Sequence, residues 1–407
     1  MLLRSLIALL SLTASADAYT QCDVKSIAGP GATVAEEGSN PVAAPGGKYI
    51  YAGFMQNRHL SVATSSDWGK TLGPPVKIFN GPGSQHMLRL AAAGANVYAL
   101  WGVVYLGKND LKFAASHDHG ATWQLISFGR YLANVPQIAA DGANVHVVYH
   151  AAGGNMVVRN STDEGRTFSD PVVLGYGASE EVAATAGQNV YAAWSLGQPR
   201  SETVLAVSHD NGKTFKVTKI SADRPSGSNE PIFAVDKLSG RVSLIWRENT
   251  PMQGVYLQSL DNGDTWSTPL VIDDASRQYM VADDGTNIYI TYLKFFKIGN
   301  TPDWQVFLTV SKDGGKTFPP AQNLSGPTGI QELYDDNERP IPWAWDGNGA
   351  FRVTGIKSDG AYVWNGRNGT VFASSGVRLG PGTTATPVHN SVVWRSPNQY
   401  VSYGACH

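Results

Sequence analysis

Short hydrophobic segments recur along the chain, and each begins with the same kind of polar turn. The clearest copies are residues 94–101, 142–149, 187–194 and 285–292, with looser copies at 47–54 and 240–246. The clear copies start with Gly-x-Asn and continue with β-branched and aromatic residues. A turn of this kind followed by such a run is typical of a hairpin that enters a β-strand. The pattern therefore predicts a chain of short strands joined by hairpins.

A second motif, Ser-x-Asp-x-Gly-x-Thr-aromatic, follows these segments. Its full copies contain Asp118, Asp163, Asp210, Asp261 and Asp313, and a degenerate copy ending in Leu72 contains Asp67. Successive aspartates lie between 45 residues (Asp118 to Asp163) and 52 residues (Asp261 to Asp313) apart, a period found in propellers and solenoids. Aspartate accepts hydrogen bonds from backbone N–H groups just ahead of it, and glycine adopts positive φ. We therefore expect the motif to fold a corner between two strands.

The motif resembles the Asp-box, or BNR repeat, of sialidases and many other secreted β-propellers. The resemblance extends over nearly all of residues 19–407. It implies an all-β fold, a single β-propeller whose blades each have four strands, A to D. The Asp-box lies between strands C and D. The A strands are expected to start near Pro41, Leu88, Pro136, Glu181, Pro231, Tyr279 and Pro340. Aromatic residues that share one position at the end of strand B, Trp101, Trp194, Trp246 and Tyr292, are expected mainly in the core between blades.

The two ends of the chain are predicted to share one blade, because an open ring would leave exposed sheet edges. Residues 22–37 would supply its strands C and D, and residues 387–405 its strands A and B. This composite blade gives eight blades in all, with seven as the alternative if the terminal segments are accessory strands. Cys22 and Cys406, the two cysteines of the chain, would be neighbours there. In an exported protein they favour a disulfide over two buried thiols.

Export is predicted by residues 1–18, which have Arg4, an apolar run at residues 6–10 and a small-residue ending at residues 16–18. These features are typical of a secretory signal peptide, so the mature protein is expected to be secreted or periplasmic and monomeric. Beyond this segment there is no apolar run of about 20 residues that would span a membrane. Charged residues make up 16% of the chain, and the net charge is −2. The absence of a basic patch argues against nucleic acid as a partner.

Neither a metal nor a cofactor is expected. The acidic loop at residues 335–338 lacks the spacing of a calcium loop, and the nine histidines lack zinc spacing. In the predicted propeller the ligand residues belong to the D–A and B–C loops, opposite the Asp-boxes. The catalytic candidates there are Glu181, Glu230, Glu248 and Tyr279. The substrate-binding candidates are Arg58, His86, Arg89, Arg247, Arg277 and Arg339.

Arginines among carboxylates and aromatic rings are suited to an acidic sugar, but sialidase activity is not expected. Sialidases carry Arg-Ile-Pro on the first inner strand, where this chain has Ser39-Asn40-Pro41. The first arginine of the carboxylate clamp is therefore missing, although Arg247, Arg277 and Arg339 could form another clamp.

Two classes of function remain open. One is a carbohydrate-active enzyme on an acidic glycan, either a hydrolase with a pair of the three glutamates or a lyase with His86 or Tyr279 as base. The other is a non-catalytic propeller that binds an extracellular glycan or a protein.

Overall fold

The computed structural model describes most of the chain between residues 32 and 393. The described residues are 32–35, 39–46, 49–56, 59–66, 73–132, 136–177, 179–197, 201–224, 226–274, 276–283, 287–298, 301–323, 351–357, 360–367, 370–377 and 390–393. Their regular secondary structure is β-strand. No helix among them is long and apolar enough to cross a bilayer.

The strands are numbered in chain order. The first thirteen are β1 (Ala32–Ala35), β2 (Ser39–Gly46), β3 (Tyr49–Gln56), β4 (His59–Ser65), β5 (Val76–Phe79), β6 (Ser84–Ala93), β7 (Asn96–Tyr105), β8 (Lys108–Ser116), β9 (Gln124–Arg130), β10 (Gln137–Asp141), β11 (Asn144–His150), β12 (Asn155–Ser161) and β13 (Val172–Tyr176). The next twelve are β14 (Ser179–Ala186), β15 (Asn189–Leu196), β16 (Glu202–Ser208), β17 (Lys216–Lys219), β18 (Ser228–Asp236), β19 (Arg241–Asn249), β20 (Met252–Ser259), β21 (Leu270–Asp274), β22 (Ser276–Asp283), β23 (Ile288–Ile298), β24 (Thr301–Ser311) and β25 (Gln322–Asn323). The last four are β26 (Phe351–Lys357), β27 (Gly360–Arg367), β28 (Thr370–Val377) and β29 (Asn390–Val393).

Strands β2 to β25 form six antiparallel sheets of four consecutive strands each, called sheets 1 to 6 in chain order. The first strand of each sheet contacts the first strand of the next, from β2 through β6, β10, β14 and β18 to β22. These first strands begin within a few residues of six predicted A-strand starts, so the predicted division into units is confirmed for these sheets. The seventh predicted start, Pro340, lies outside the described residues.

The remaining strands form a terminal sheet in the order β1-β28-β27-β26-β29. Strands from both ends of the chain therefore share one sheet, but they flank β26 to β28, which were predicted to belong to a separate seventh unit. Within it β1 pairs with β28, and β29 pairs with β26. Together with sheets 1 to 6, it makes seven sheets among the described residues. The number of blades and the closure of a ring remain predictions. Cys22 and Cys406 lie outside the described residues, as do residues 1–18.

Hydrophobic side chains fill the space between successive sheets. Trp101 packs between sheets 1 and 2, Trp194 between sheets 3 and 4, Trp246 between sheets 4 and 5, and Tyr292 between sheets 5 and 6. Each is at most 2% exposed, which confirms the expectation that these B-strand aromatics belong to the core. Burying a large side chain of this kind contributes roughly 2–3 kcal/mol.

The Ser-x-Asp-x-Gly-x-Thr turns are held by a repeated set of hydrogen bonds. In the third sheet Asp163 Oδ1 accepts from Ser161 Oγ at 2.6 Å and from Thr167 N at 2.9 Å. Its Oδ2 accepts from Thr167 Oγ1 at 2.5 Å. Equivalent bonds form at Asp118, Asp210, Asp261 and Asp313. Asp67 lies outside the described residues.

The backbone of these turns needs two consecutive residues at positive φ. Gly165 has φ +76° and Glu164 before it has φ +62°, and the four other described turns have the same pair. The sequence predicts the glycine but not the residue before it. The glycine also approaches the preceding sheet, because a Cβ on Gly165 would lie 2.9 Å from the ring of Phe113. Each turn therefore both folds its own corner and packs on the sheet before it.

Candidate functional site

The two ends of each sheet differ in the connections that they carry. Backbone hydrogen bonds join the C–D turn to the A–B turn in four sheets, for example Glu164 N to Ala143 O at 2.9 Å and Asn211 N to Gln188 O at 2.9 Å. The A–B and C–D turns therefore lie at one end, which we call the turn edge. The B–C and D–A loops lie at the opposite end, which we call the loop edge. The predicted site residues that the structure describes belong to the loop edge.

A β-bulge occurs at the loop edge of five first strands, in the same position of each. The register with the second strand shifts between Ser39 and Val42, His86 and Arg89, Ser179 and Val182, Asn229 and Ile232, and Arg277 and Met280. Bulges re-aim side chains and are frequent beside active sites. Within these bulges Met87 and Glu230 both have φ +56°, a conformation that non-glycine residues adopt rarely.

Five sequence-predicted candidates lie within these bulges or directly before them. Glu181, Glu230 and Tyr279 lie within bulges, and His86 directly precedes one. Arg277 directly precedes its bulge in the position equivalent to His86. For Glu181 and Arg277 the structure describes the strand position alone. Arg58 and Arg339 lie outside the described residues.

His86 forms the most distinctive side-chain pair at the loop edge. Its Nε2 lies 3.0 Å from the hydroxyl of Tyr131, and the two rings stack with centroids 6.3 Å apart. His86 is opposite Gly102 in the β6–β7 register. A Cβ on Gly102 would lie 2.0 Å from the Tyr131 hydroxyl oxygen and 2.6 Å from His86 Nε2. The pair therefore forms only because the facing residue has no side chain.

Tyr131 is held in place by the loops of the third sheet. It forms a backbone bridge with Ala151, and the next residue, Leu132, donates its N–H to His150 O at 2.8 Å. Tyr131 is 3% exposed, whereas His86 is half-buried. The pair therefore joins a buried tyrosine to a partly exposed histidine.

Burial favours the neutral form of the His86 imidazole. Desolvation lowers the pKa of His86 below its ordinary value. A neutral imidazole accepts a proton and a phenol donates one, so the pair has the components for general acid–base chemistry. Arg89, just after the bulge, is 9% exposed and donates from Nη1 to Leu88 O at 3.0 Å.

The glutamates of the fifth sheet are paired with arginines. Glu230 Oε1 lies 3.3 Å from Arg247 Nη2. Glu248 is 1% exposed, and its two oxygens accept from Arg224 Nε at 2.5 Å and from Arg224 Nη2 at 3.0 Å. Gln253 Nε2 donates to the same carboxylate at 2.7 Å.

Glu248 does not have the properties of a proton-donating acid. Burial acts to raise the pKa of Glu248, but the hydrogen bonds from Arg224 and Gln253 outweigh it, and the pKa is below its ordinary value. The general acid of a glycosidase needs a raised pKa. Both oxygens of the buried Glu248 carboxylate accept hydrogen bonds from Arg224 or Gln253. Glu248 therefore forms a structural ion pair with Arg224 at the loop edge.

Tyr279 belongs to a buried cluster in the sixth sheet. It is 2% exposed, its ring packs on Tyr292 at 5.4 Å, and its hydroxyl donates to Asp273 O at 3.4 Å. Asp273 also accepts from the Tyr292 hydroxyl and, at 2.6 Å, from Lys294 Nζ. This environment suits packing better than proton abstraction from a polymer.

Sequence reasoning missed Tyr131, Arg224 and Asp273. Tyr131 is a single aromatic residue after strand β9, and no repeat marks it. Its contact with His86 joins residues 45 positions apart. The one local signal is Gly102, a glycine in a strand at the position where the other B strands carry side chains.

Comparisons with known proteins give the fold and leave the chemistry open. No protein-family model and no curated protein matches the sequence. A solved polysaccharide lyase, an ulvan lyase bound to -[GlcA(1-4)Rha3S]-, superposes with a TM-score of 0.51 at 14% identity, over 87% of this chain and 94% of its own. The chain shares its β-propeller fold.

Two further solved structures are similar at lower TM-scores. A protein of unknown function from Dyadobacter fermentans has a TM-score of 0.45 at 15% identity, over 71% of this chain and 99% of its own. The sialidase NanB from Streptococcus pneumoniae has a TM-score of 0.42 at 11% identity, over 90% of this chain and 71% of its own.

Proposed function

We propose that the protein is a carbohydrate-active enzyme that cleaves uronate-containing polysaccharides by β-elimination, with His86 and Tyr131 as the reacting pair. The observation that carries the proposal is the 3.0 Å contact between His86 Nε2 and the Tyr131 hydroxyl at the loop edge. The fold shared with an ulvan lyase is consistent with this reaction class but is a weaker argument, because one fold supports many functions.

The proposed reaction uses the two groups in turn. The Tyr131 hydroxyl turns its proton from Nε2 towards O4, His86 Nε2 accepts the proton on C5 of the uronate with its freed lone pair, and the electrons of that C–H bond form the C4=C5 double bond. The C4–O4 bond breaks, its electrons remain on O4, and the Tyr131 hydroxyl donates its proton to O4. The proton on His86 then returns to Tyr131 across their hydrogen bond, which restores both groups without a cofactor.

A cation beside the uronate carboxylate would make the C5 proton more acidic. Arg89 is our candidate, because it lies three residues after His86 on the same strand. Hydrolysis is the less favoured reaction, because Glu248 is committed to Arg224 and Gln253. Of the glutamates whose side chains the structure describes at the loop edge, Glu230, which is paired with Arg247, is the other candidate for hydrolysis.

The test is release of unsaturated uronate, followed by ultraviolet absorbance, from ulvan, alginate, polygalacturonate and hyaluronan. We expect release from at least one polymer, with loss of release in His86→Ala and Tyr131→Phe and full activity in His117→Ala. His117 is a matched control, because it lies at the turn edge beside Asn96. Reducing sugar without ultraviolet absorbance would replace the lyase by a hydrolase, and binding without any release would replace it by a binding module.

We also propose that the sheets close into one propeller ring through the terminal sheet and that the turns are true Asp-boxes. The contacts of β26 with both β2 and β22 support closure. We propose further that residues 1–18 are cleaved during export and that Cys22 and Cys406 form a disulfide. Mass spectrometry of the exported protein tests it by the position of the amino terminus and by a cross-linked cysteine peptide.

A further inference from the structure

Large apolar side chains are exposed in unequal numbers on the two edges. Of those that the structure describes, Val104, Tyr105, Leu106, Leu132 and Tyr176 lie at the loop edge of sheets 2 and 3. The others are Leu125, Val173, Val217 and Val271 in fourth strands and Leu238 and Leu260 in turns at the turn edge. Both of the exposed tyrosines are therefore close in the fold to the sheets that hold His86 and Tyr131. Exposed apolar groups gathered in this way commonly mark a binding surface.

Tyr105 is presented by a tight hairpin between β7 and β8. Tyr105 pairs with Lys108, and the two turn residues, Leu106 and Gly107, have φ +50° and +69°. Leucine at positive φ is strained, and Leu106 is 79% exposed. Folding alone would favour asparagine or glycine at this position, so the turn itself does not explain an exposed leucine there.

This hairpin pairs through β7 with β6, the strand that carries His86. Ser84 pairs with Val104 and His86 pairs with Gly102. A Cβ on Gly83 would lie 3.1 Å from Tyr105 Cβ and 2.5 Å from Val104 O, so the backbone before β6 is packed directly against the hairpin. Tyr105 is 48% exposed.

Tyr176 is presented by a fixed backbone in the third sheet. Its carbonyl accepts from Trp194 Nε1 at 3.0 Å, and Gly177 N donates to Gly154 O at 3.3 Å. The side chain is nevertheless 69% exposed. A ring held out to solvent from a fixed backbone loses little conformational entropy when it binds a ligand.

The loops that hold Tyr176 also hold Tyr131. Gly154 N donates to Ala151 O at 2.9 Å, and Ala151 forms the bridge with Tyr131. A continuous series of loop contacts therefore joins Tyr176 to the His86–Tyr131 pair, just as the β6–β7 pairing joins Tyr105 to it.

Two exposed cations occur on the same part of the loop edge. Lys108 faces Tyr105 across the hairpin turn, and Arg130 directly precedes Tyr131. Asp110, the residue that Arg130 pairs with in the β8–β9 register, is the nearby acidic group and lies 4.0 Å from Lys112 Nζ. Cations interspersed with tyrosine rings suit a polymer of anionic sugars, since the rings cover the apolar faces of the sugars and the cations attract the carboxylates.

We propose that Tyr105 and Tyr176 are saccharide-binding platforms on the two sides of the His86–Tyr131 pair, which hold successive sugar rings of one polysaccharide chain. The inference rests on the proposed function for the position of the reacting sugar, but not for the binding itself. It makes the substrate a long polymer that binds across sheets 2 and 3.

The experiment measures binding in a protein that cannot turn over its ligand. In the His86→Ala background, binding of ulvan, alginate, polygalacturonate and hyaluronan and of their disaccharides is measured by calorimetry, with and without Tyr105→Ala and Tyr176→Ala. We expect each tyrosine variant to weaken binding of the preferred polymer about tenfold, as loss of one stacked ring would. The disaccharide affinities should change much less.

Two matched variants separate stacking from other effects. Tyr105→Phe and Tyr176→Phe keep the rings and should retain polymer binding, and Leu238→Ala removes an exposed apolar side chain at the turn edge and should leave it unchanged. Thermal unfolding of each variant shows that the fold is intact. Polymer affinity that is unchanged in both alanine variants, or no binding of any polymer, would overturn the inference.

The outcome is distinguishable from that of the proposed function. Weaker polymer binding in the tyrosine variants of a protein without lyase activity would support the platforms and reject the reaction. Lyase activity with polymer affinity that does not depend on the tyrosines would do the reverse.

Discussion

The turn edge and the loop edge of the sheets are built from the same repeat but follow different rules. At the turn edge, the same serine, aspartate and threonine hydrogen bonds recur in all five described turns. At the loop edge, the position before the bulge is occupied by Ser39, His86, Ser179, Asn229 and Arg277 in the five bulged first strands. Repetition at equivalent positions indicates a requirement of the fold, whereas variation within a constant backbone frame leaves those positions free for function.

Contacts between sheets show the same difference. At the turn edge, Asn160 of the third sheet accepts from His146 Nδ1 at 2.8 Å and donates to Gly212 O in the next sheet at 2.7 Å. Thr64 likewise donates to His119 O at 2.9 Å. At the loop edge the partners differ from sheet to sheet. We therefore expect turn-edge changes to affect stability and loop-edge changes to affect activity, and the following predictions test this division in order of expected effect.

The largest effect should follow loss of the loop-edge pair. His86→Ala or Tyr131→Phe should lower kcat/KM by roughly two to four orders of magnitude, the usual contribution of general acid–base catalysis. Steady-state kinetics on the preferred polymer measures it, alongside thermal unfolding. Loss of folding in both variants, rather than loss of turnover, would remove the distinction between the edges.

A large loss of stability should follow Gly212→Ala at the turn edge. Gly212 has φ +77°, and a Cβ there would lie 2.2 Å from Asn160 Oδ1. The Asn160 amide cannot move away without losing its bonds to His146 and Gly212. We expect a loss of about 3 kcal/mol in the free energy of unfolding, from strained φ and steric overlap together, measured by denaturant titration.

Gly94→Ala is the matched control for this substitution. Gly94 has φ +63°, and no atom lies within 4 Å of the position that a Cβ would occupy, so about 1 kcal/mol from the strained backbone alone is expected. Equal losses in the two variants would mean that the contact between sheets contributes nothing.

His146 should make stability depend on pH. Burial lowers the pKa of His146 to about 4, against the opposing effect of the hydrogen bond that His146 donates to Asn160. Because the unfolded chain binds this proton near pH 6.5, the stabilisation is complete above that pH and is lost as the pH falls towards 4. The loss at pH 4 is about 3 kcal/mol.

Two measurements check the role of His146. Denaturant unfolding between pH 7 and pH 4 should have a shallower pH dependence in His146→Gln than in the parent protein. Titration of the folded parent by NMR should show a neutral His146 at pH 6, and a charged His146 at that pH would refute the prediction.

A smaller loss of stability should follow Asp163→Ala. The substitution removes three hydrogen bonds in one turn, and about 1–2 kcal/mol is expected by analogy with loss of a capping side chain. Desolvation acts to raise the pKa of Asp163, but hydrogen bonds from Ser161 and Thr167 outweigh it and hold the pKa at about 2. The stabilisation is therefore present above about pH 4 and is lost as the pH falls to 2. Unfolding measured at pH 7 and at pH 2 should show a difference between variant and parent only at the higher pH.

The smallest effect concerns the pH profile of activity. Because burial lowers the pKa of His86, the acid limb of kcat/KM should have its midpoint below the ordinary histidine value of about 6.5. A midpoint above that value would show that another group, or a charged His86, governs the reaction.

The repeats predict the fold well because their information is local. The hairpin turns before residues such as Val97 and Val190 and the corners at Asp118 and Asp210 depend on residues a few positions apart. Their regular period gave the six A-strand starts and the pairing of strands within sheets. The bulges were not predicted, since an extra residue in one strand is defined only by the strand that it pairs with.

The candidate site was predicted only in part. His86, Glu230 and Glu248 were predicted at the loop edge and lie there, because the order of strands fixes which loops share an edge. Which of them has which partner was beyond the sequence: Tyr131 for His86, Arg247 for Glu230 and Arg224 for Glu248 are contacts between segments that no repeat relates.

The sequence by itself therefore determined the strands, the turns and the edge that carries the variable residues. Only the tertiary structure decided that the His86 side chain contacts the Tyr131 hydroxyl beside Gly102, and that the Glu248 carboxylate is paired with Arg224. It also decided that Tyr105 and Tyr176 remain exposed. The physical reason is that turn hydrogen bonds form within a few residues of chain, whereas burial, pKa and pairing of a side chain depend on the atoms that the packed sheets bring around it.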